Sequence, residues 1–247
     1  MDGEARILTF FLTRDASTFD RENYERVRKQ VGVKQDVYVV SAAPIQVEGN
    51  IVVPVPQHLP LPVRIGITIN AALRRFDLSR YTHFFKVDSD VKLPPDYLLE
   101  LLSRRAPVAG RGLALLISVK FLKEQLGGKY PVSYCDDGYI SALSVASGWW
   151  PPEYSGRLEF PVIRQPAREY AYGVEYYKWG LPFPLLILMS PALLATGRRD
   201  LRSLVCNIAG YVGAMLRREE RYEWWRKYAY FRTRNFAKRM LGGLLRQ

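Results

Sequence analysis

The sequence contains few of the side chains that build disulfide frameworks or soft-metal sites. Among 247 residues there are two cysteines, Cys135 and Cys206, and two histidines, His58 and His83. The cysteines are 71 positions apart, which is neither the C-x-x-C spacing of a zinc site nor the dense pattern of a disulfide scaffold. We therefore expect a protein of a reducing compartment whose functional site uses other groups.

The sequence also lacks a long apolar run and a basic leader. Its longest mostly apolar stretch, residues 181–195, has 15 residues and contains Pro182, Pro184 and Pro191, whereas a spanning helix needs about 20. The first residues, MDGEARILTFFL, carry acidic side chains where a secretory signal needs basic ones. These features predict a cytoplasmic protein with no membrane span.

Positive charge is concentrated near the end of the sequence. The formal net charge is +12, and residues 197–247 contribute 13 basic side chains against 4 acidic ones. Residues 211–245 also interleave tryptophan and tyrosine with arginine and lysine, a composition typical of a membrane interface. Peripheral contact with the inner face of a membrane and a solvated helical face are both compatible with this pattern. A nucleic-acid surface is disfavoured, because no nucleic-acid motif accompanies the charge.

The first half of the chain alternates strand and helix patterns. Apolar, β-branched runs predict strands at 6–13, 36–42, 51–55 and 82–87, and amphipathic patterns predict helices at 20–31 and 62–76 and one ending at Ser103. This order is typical of an α/β protein with a mostly parallel central sheet and flanking helices, a Rossmann-like arrangement.

In the second half of the chain, strand patterns become rare and helical patterns are expected to predominate. We expect one strand at 106–119, helices at 118–126 and from Asp136 to about Gly148, and an edge strand at 158–163. From residue 168 onward only helices are expected, at 168–178, 184–195, 199–217 and 221–240. The predicted organisation is a catalytic domain of residues 1–167 and a helical, basic extension of residues 168–247.

Two carboxylates follow the strand predicted at 82–87. Asp88 and Asp90 are separated by Ser89, and the sequence Leu93-Pro94-Pro95-Asp96 then predicts a turn into a helix. Carboxylates spaced this way on a loop can both face Mg²⁺ or Mn²⁺, which prefer oxygen ligands completed by substrate phosphates and water. A D-x-D tripeptide also arises by chance as a solvated loop, so its surroundings decide its meaning.

Three stretches occur in an order typical of one enzyme family. They are RIGITINAAL from Arg64, KVDSDVKLPPDYLLELL from Lys86, and LISVKFLKEQLGGKYPVSYCDDGYISAL from Leu116. Together they resemble the inverting nucleotide-sugar glycosyltransferases of family 2, hexosyltransferases with the GT-A fold. The resemblance extends from about Ile7 to Arg239, including a helical C-terminal region.

The resemblance implies a metal-dependent transferase and assigns roles to individual residues. Asp137 takes the place of the general base, and Asp136 that of the acidic residue before it. Asp90 takes the place of the main metal ligand for Mg²⁺ or Mn²⁺, with Asp88 as a second ligand or ribose contact. The implied contacts of the nucleotide-sugar are Thr13, Arg14, Asp15, Arg64, Asp88 and Ser89. The implied acceptor is a sugar hydroxyl or a polyprenyl lipid phosphate.

The sequence departs from the family pattern at two places, and other interpretations stay open. Residues 39–44, at the end of the second strand, have no carboxylate, and residues 140–143 lack the expected Arg-Leu pair. Asp136 and Asp137 would also suit a helix N-terminus without any catalytic role. The chain could therefore be an inactive GT-A-like protein that binds a sugar nucleotide or a lipid. A D-x-D phosphohydrolase is disfavoured, because its nucleophilic Asp follows the first strand.

Overall fold

The computed structural model describes residues 5–56, 58–160, 165–195 and 200–244, with side chains as far as residue 238. Contacts along the chain divide it into two compact units. Unit 1 comprises Met1–Ile140 and Trp150–Val162, and unit 2 comprises Ser141–Trp149 and Ile163–Gln247.

Unit 1 is built on a six-stranded sheet. Its strands are β1 (Arg6–Leu12), β2 (Lys34–Ser41), β3 (Asn50–Val52), β4 (His83–Asp88), β5 (Val108–Arg111) and β6 (Ala114–Ser118). The order across the sheet is β3-β2-β1-β4-β6-β5, parallel from β3 to β4 and antiparallel at β6 and β5. The predicted α/β class with a mostly parallel sheet is confirmed.

Five helices belong wholly or in part to unit 1, and two of them begin at a capping side chain. They are α1 (Arg21–Arg28), α2 (Leu61–Leu73), α3 (Tyr97–Ser103), α4 (Val119–Leu126) and α5 (Asp136–Ala146), with a single 3₁₀ turn at Leu78–Arg80. The Asp20 side chain accepts from the backbone N–H of Asn23 at the start of α1, and Ser118 does the same from Phe121 at the start of α4. Gly127 ends α4 at φ +61°, a left-handed conformation that glycine adopts without strain.

The prediction of a single strand at 106–119 is wrong. These residues form two antiparallel strands, β5 and β6, joined by a turn at Gly112 and Leu113. The chain reverses at Gly112 and Leu113, while Gly110 remains paired with Leu115 inside β5, although its φ of +96° is one that a residue with a side chain rarely adopts. The hairpin brings Gly112 back beside the end of β4.

The predicted edge strand at 158–163 is reduced to a single bridge between Lys92 and Glu159. Residues 161–163 of that prediction lie outside the described residues.

The two faces of β4 differ in chemistry. Phe85 and Val87 lie on the face that packs in the main hydrophobic core with Phe11 and Tyr97. Phe84, Lys86 and Asp88 alternate with them and therefore point to the opposite face. The ring of Phe84 packs edge-on against Tyr130 on that face. A lysine side chain is thus buried beside an aromatic cluster in the centre of the sheet.

Unit 2 is helical in its described residues beyond 164. Its helices are α6 (Pro166–Trp179), α7 (Phe183–Ala195), α8 (Leu201–Leu216) and α9 (Trp225–Leu244), close to the predicted ones except that α9 begins at Trp225. Helices α6 and α8 cross closely: a Cβ at Gly173 would collide with the backbone of Asn207, and one at Gly210 with that of Tyr170. Within the described chain, every helix is too short or too polar to span a membrane.

Candidate active site

The loop after β1 is organised by one carboxylate. Asp15 accepts hydrogen bonds from the backbone N–H and the hydroxyl of Ser17, at 2.9 and 2.6 Å, and from Arg14 Nε at 2.7 Å. These donors lower the pKa of Asp15 to about 2, the Ser17 hydroxyl contributing most. The oxygens of Asp15 thus bond to groups of its own loop, and its predicted contact with a nucleotide stays a prediction.

The loop after β4 is tied to this first loop. The Ser89 hydroxyl donates to the carbonyl oxygen of Thr18 at 2.9 Å, and the Ser89 backbone N–H donates to that of Leu12 at 3.0 Å. The two flanking carboxylates differ. Asp88 forms an ion pair with Lys86, whereas Asp90 is exposed and makes no hydrogen bond or ion pair within the described residues.

These two loops and α2 enclose a cleft of about 550 Å³. Six residues predicted to bind a nucleotide-sugar or metal line it: Thr13, Arg14, Arg64, Asp88, Ser89 and Asp90. The rest of the wall is apolar apart from Thr18 and Thr68, and consists of Leu12, Val40, Ala42, Val55, Leu61 and Ile65. Asp15, Asp136 and Asp137 are not part of this lining. The cleft therefore combines an apolar wall, suited to a flat ring, with two guanidinium groups and two carboxylates.

Lys86 is a site residue that the sequence analysis missed. Its side chain is 4% exposed, and its ammonium donates to the carbonyl oxygen of Gly112 at 2.8 Å and lies 2.9 Å from Asp88 Oδ1. Burial acts to lower the pKa of Lys86, but the charges of Asp88, Asp136 and Asp137 outweigh it and the pKa is raised. The signal was present, because a lysine inside the apolar run HFFKV is unusual for a central strand.

The same group of charges acts on Asp88. Burial is the main cause that raises its pKa, and the negative charges of Asp90 and Asp137 add to it, while the Lys86 ammonium opposes them. Asp88 on β4 and the acidic pair on α5 are far apart in the sequence, but in the structure they are close enough to interact electrostatically.

The first turn of α5 carries the second acidic pair. Asp136 is buried, and its pKa is raised to about 6, chiefly by burial and then by Asp137, with Lys86 and the Tyr130 hydroxyl acting against the rise. Asp136 Oδ2 and the Tyr130 hydroxyl are fully buried, and neither has a hydrogen-bond partner of good geometry among the described residues. Asp137 is less buried, and its Oδ1 accepts from the Gly138 backbone N–H at 2.8 Å.

Gly112 makes room for Asp137. A Cβ on Gly112 would overlap the Asp137 carboxyl group, so that carboxyl lies directly against the glycine backbone. Because the Gly112 carbonyl also accepts from Lys86, one residue of the β5–β6 turn contacts both the ammonium and the second acidic pair.

Helix α2 fixes the segment that leads into α5. Asn70 donates from its side-chain amide to the Tyr130 carbonyl at 2.7 Å and accepts from the Tyr130 backbone N–H at 2.8 Å. One helical turn earlier, a Cβ at Gly66 would collide with the backbone of Pro131 and Val132. Gly66 and Asn70, both in the RIGITINAAL stretch, thus pack the segment that precedes Asp136 closely against α2.

The chemistry of the cleft suits a divalent cation only together with a ligand. Across the described residues, no group of three His, Cys, Asp or Glu side chains is arranged to hold a metal ion. Asp88 and Asp90 supply hard oxygen atoms, of which Asp88 Oδ1 is already paired with Lys86. Mg²⁺ and Mn²⁺ accept a small number of carboxylate ligands when phosphate oxygens and water complete the shell. The residues present fit that arrangement.

Comparisons with known proteins support the fold. No family model matches the sequence, and no curated protein matches it either. Among solved structures, the fold matches a mannosyltransferase, PcManGT from Pyrobaculum calidifontis, in complex with GDP-Man and Mn²⁺. That match has a TM-score of 0.55 and 14% sequence identity, and covers 94% of this chain and 85% of the other. The chain therefore shares its fold with a glycosyltransferase.

Proposed function

We propose that the protein is a metal-dependent inverting glycosyltransferase of the GT-A fold, related to family 2. It would transfer a hexose from a nucleotide-sugar to an acceptor hydroxyl or a lipid phosphate. The observation that carries this proposal is the cleft, because the loops after β1 and β4 line it together, and Lys86 pairs with Asp88 of its lining and interacts electrostatically with the pair on α5. We retain residues 1–167 as the proposed catalytic domain and residues 168–247 as the basic extension.

The cleft has the groups that a nucleoside diphosphate needs. The apolar wall at Val40, Ala42 and Ile65 suits the flat ring of a nucleotide base. Because β2 carries no carboxylate at its end, the shape of the cleft and its backbone groups would select which base binds. Arg14 and Arg64 can neutralise phosphate oxygens. Asp90, with Asp88 beside it, would hold Mg²⁺ or Mn²⁺, which when bound would stabilise the negative charge of the departing diphosphate.

The second acidic pair would serve the acceptor. In an inverting transfer the acceptor oxygen attacks the anomeric carbon, the bond from that carbon to the diphosphate oxygen breaks, and the electron pair leaves with the diphosphate. The acceptor proton must pass to a base, and Asp137 is the candidate because it is the less buried member of its pair. Asp136 is the buried neighbour of Asp137 in the first turn of α5, and burial raises its own pKa to about 6.

A panel of nucleotide-sugars tests this proposal. We expect one donor to raise the melting temperature in the presence of Mn²⁺ and to lose its effect when EDTA removes the metal. Transfer from that donor, followed by NMR of the product, should give an anomeric configuration opposite to that of the donor. Retention of configuration would exclude Asp137 as the base of a single displacement, and absence of any donor effect would exclude the transferase.

A non-catalytic sugar-nucleotide binding protein is the second candidate function. The feature that favours it is the missing carboxylate on β2, where the Ser41 hydroxyl instead donates to the Ala43 carbonyl oxygen and accepts from the Asn50 side-chain amide. Such a protein would bind a donor in the panel and neither transfer nor hydrolyse the sugar. The presence of Asp136 and Asp137 beside the cleft's charges favours the enzyme.

Unit 2 carries apolar side chains on its surface that suit a membrane interface. Leu188 on α7 is 63% exposed and Leu201 on α8 is 66% exposed, and α7 has no charged residue along its length. Helix α9 presents exposed cations, including Arg226 and Lys227. We propose that this unit binds peripherally to anionic lipid at the cytoplasmic face, because cations attract such lipid whereas two copies of the same basic helix repel each other.

Liposome sedimentation tests this second proposal. Leu188→Glu should reduce binding to vesicles that contain an anionic lipid, while Val31→Glu, a matched change at a residue 57% exposed in unit 1, should not. Binding should also weaken as salt is raised. Equal binding of both variants, or binding to neutral vesicles alone, would overturn the proposed surface.

A further inference from the structure

Lys86 is placed where a divalent cation would be repelled. Its ammonium lies 2.9 Å from Asp88 Oδ1, and the side chain is 4% exposed, so this positive charge is a permanent part of the acidic site. Asp88 and Asp90 are the residues proposed to meet a metal, and Asp88 lines the cleft itself. A cation that approached Asp88 would therefore compete with a charge already bound to one of its two oxygens.

The geometry also limits how far Lys86 can withdraw. Besides Asp88 it donates to the Gly112 carbonyl at 2.8 Å, which anchors it between β4 and the β5–β6 turn. Asp136 and Asp137 act on it from α5. Two polar contacts, to Asp88 Oδ1 and to the Gly112 carbonyl, hold the ammonium, so a side-chain rotation that moved it away would break both.

Stability alone does not explain a lysine at this position. A buried ion pair seldom stabilises a fold more than apolar residues of similar volume would, because removing both charges from water is costly. The neighbours of Lys86 on the same strand, Phe84 and Val87, are apolar and fully buried. A functional role for the charge is therefore worth testing.

We propose that Lys86 is a positioning residue that prevents the Asp88–Asp90 loop from holding a divalent cation by itself. It engages Asp88 Oδ1 and places a positive charge beside the loop, so the cation binds well only when a diphosphate supplies further negative oxygens. The metal and the donor then arrive as one unit. This inference rests on the proposed function, since it assumes that the loop meets a metal diphosphate.

Titration calorimetry with Mn²⁺ alone tests the inference without any donor or turnover. In Lys86→Met the repulsion is removed and Asp88 Oδ1 is released, and we expect Mn²⁺ to bind at least about tenfold more tightly than to the wild type. Lys86→Arg keeps the charge and should match the wild type. The double variant Lys86→Met with Asp88→Asn should lose the gain, because the released carboxylate is gone.

A structural role predicts a different result. If Lys86 only joins β4 to the Gly112 turn, Lys86→Met leaves the affinity for Mn²⁺ alone unchanged or lowers it, and the inference is wrong. Should Lys86→Met fail to fold, Asp136→Asn can be compared with Asp136→Asn plus Lys86→Met, in which one negative charge is removed together with the positive one. The same gain in Mn²⁺ affinity is expected in that pair, and its absence overturns the inference.

The two proposals fail in different ways. If the wild type binds no nucleotide-sugar with Mn²⁺, the transferase proposal fails and the role of Lys86 fails with it. If a donor and Mn²⁺ bind the wild type but Lys86→Met gains no affinity for Mn²⁺ alone, only the role of Lys86 is lost.

Discussion

Two pairs of carboxylates lie in unit 1, and they are built alike. On the loop after β4, Asp88 is ion-paired with its side chain 20% exposed, and Asp90 is open to solvent. In the first turn of α5, Asp136 is buried at 8% exposure and Asp137 is less so. In each pair the more buried carboxyl is influenced by Lys86 and has a raised pKa. We infer that the buried members set the charge of the site, while the more exposed members are left to meet ligands.

The pairs differ in what fixes them. The β4 loop is held by backbone and hydroxyl bonds to the β1 loop, through Ser89 and Thr18. Around the α5 pair, Asn70 on α2 fixes the preceding segment at Tyr130, and Asp137 lies against the bare backbone of Gly112. Substitutions can therefore separate the two pairs, and an effect on one need not spread to the other.

Asp90→Ala should have the largest effect. It removes the exposed carboxylate of the first pair, and we expect Mn²⁺-dependent donor binding to weaken by about a hundredfold or more, since a charged ligand to the metal is lost. Isothermal titration with the donor selected from the panel measures this change. Asp77→Ala, which removes an exposed carboxylate elsewhere in unit 1, is the control and should bind the donor normally. Unaltered binding by Asp90→Ala would remove the distinction between the pairs.

Gly112→Ala should disturb the second pair more than the first, because the new Cβ points at Asp137 while the carbonyl that accepts from Lys86 is kept. The new Cβ would displace the Asp137 carboxyl, and misplacement of a reacting group by about 1 Å can cost on the order of a hundredfold in rate. We expect kcat to fall by about ten- to a hundredfold while donor affinity is preserved. Adding Gly112→Ala to Asp137→Asn should cost little more, because the displaced group is already inactive. A wild-type kcat in Gly112→Ala would contradict the assignment of Asp137.

Asn70→Ala should loosen the segment before α5. Two hydrogen bonds to the backbone of Tyr130 are lost, and we expect the free energy of unfolding to fall by about 2 kcal/mol. Chemical denaturation measures this value. The rate of transfer should fall more than the donor affinity, as for Gly112→Ala. A loss of donor affinity without a loss of rate would contradict the view that Asn70 supports Asp136 and Asp137.

Asp136 should make stability depend on pH. Its folded pKa of about 6 lies above the ordinary value, because it is buried and faces Asp137, with Lys86 and Tyr130 opposing. The folded state therefore binds a proton more tightly than the unfolded state, and stability falls as pH rises from about 4 to about 7. Asp136→Asn lacks this loss, so the wild type should fall behind it by about 5 to 10 °C in melting temperature across that range. If the melting temperatures of the wild type and Asp136→Asn changed with pH in the same way, Asp136 would not be a buried acid that titrates in this range.

The sequence was sufficient for the features that depend on local pattern. Apolar runs located β1, β2 and β4, and the D-x-D tripeptide together with the residues around it led to the loop that lines the cleft. The class of fold followed from the order of these elements. The tripeptide alone did not distinguish Asp88, which is held by Lys86, from Asp90, which is free of such bonds in the described part of the chain.

The features that depend on chain reversal and on long-range contacts could not be predicted in this way. Residues 106–119 have the pattern of one strand, but the chain reverses at Gly112 and Leu113 and the two halves pair as a hairpin. Only that hairpin brings the Gly112 carbonyl to Lys86 and the Gly112 backbone to Asp137. The hydrogen bonds that Asp15 makes within its own loop, and its place outside the lining of the cleft, were likewise not visible in the sequence, and its contact with a nucleotide stays a prediction.

Anomalous diffraction at the manganese edge tests the central claim most directly. Crystals would be soaked with Mn²⁺ and the selected nucleotide-sugar. We predict one manganese peak at a coordinating distance, about 2.2 Å, from the Asp90 carboxylate and bonded to the diphosphate, with Asp137 facing the anomeric carbon across the sugar. A donor bound in the cleft with no manganese at Asp90, or a manganese peak held by Asp136 and Asp137 instead, would contradict the division of labour between the two acidic pairs.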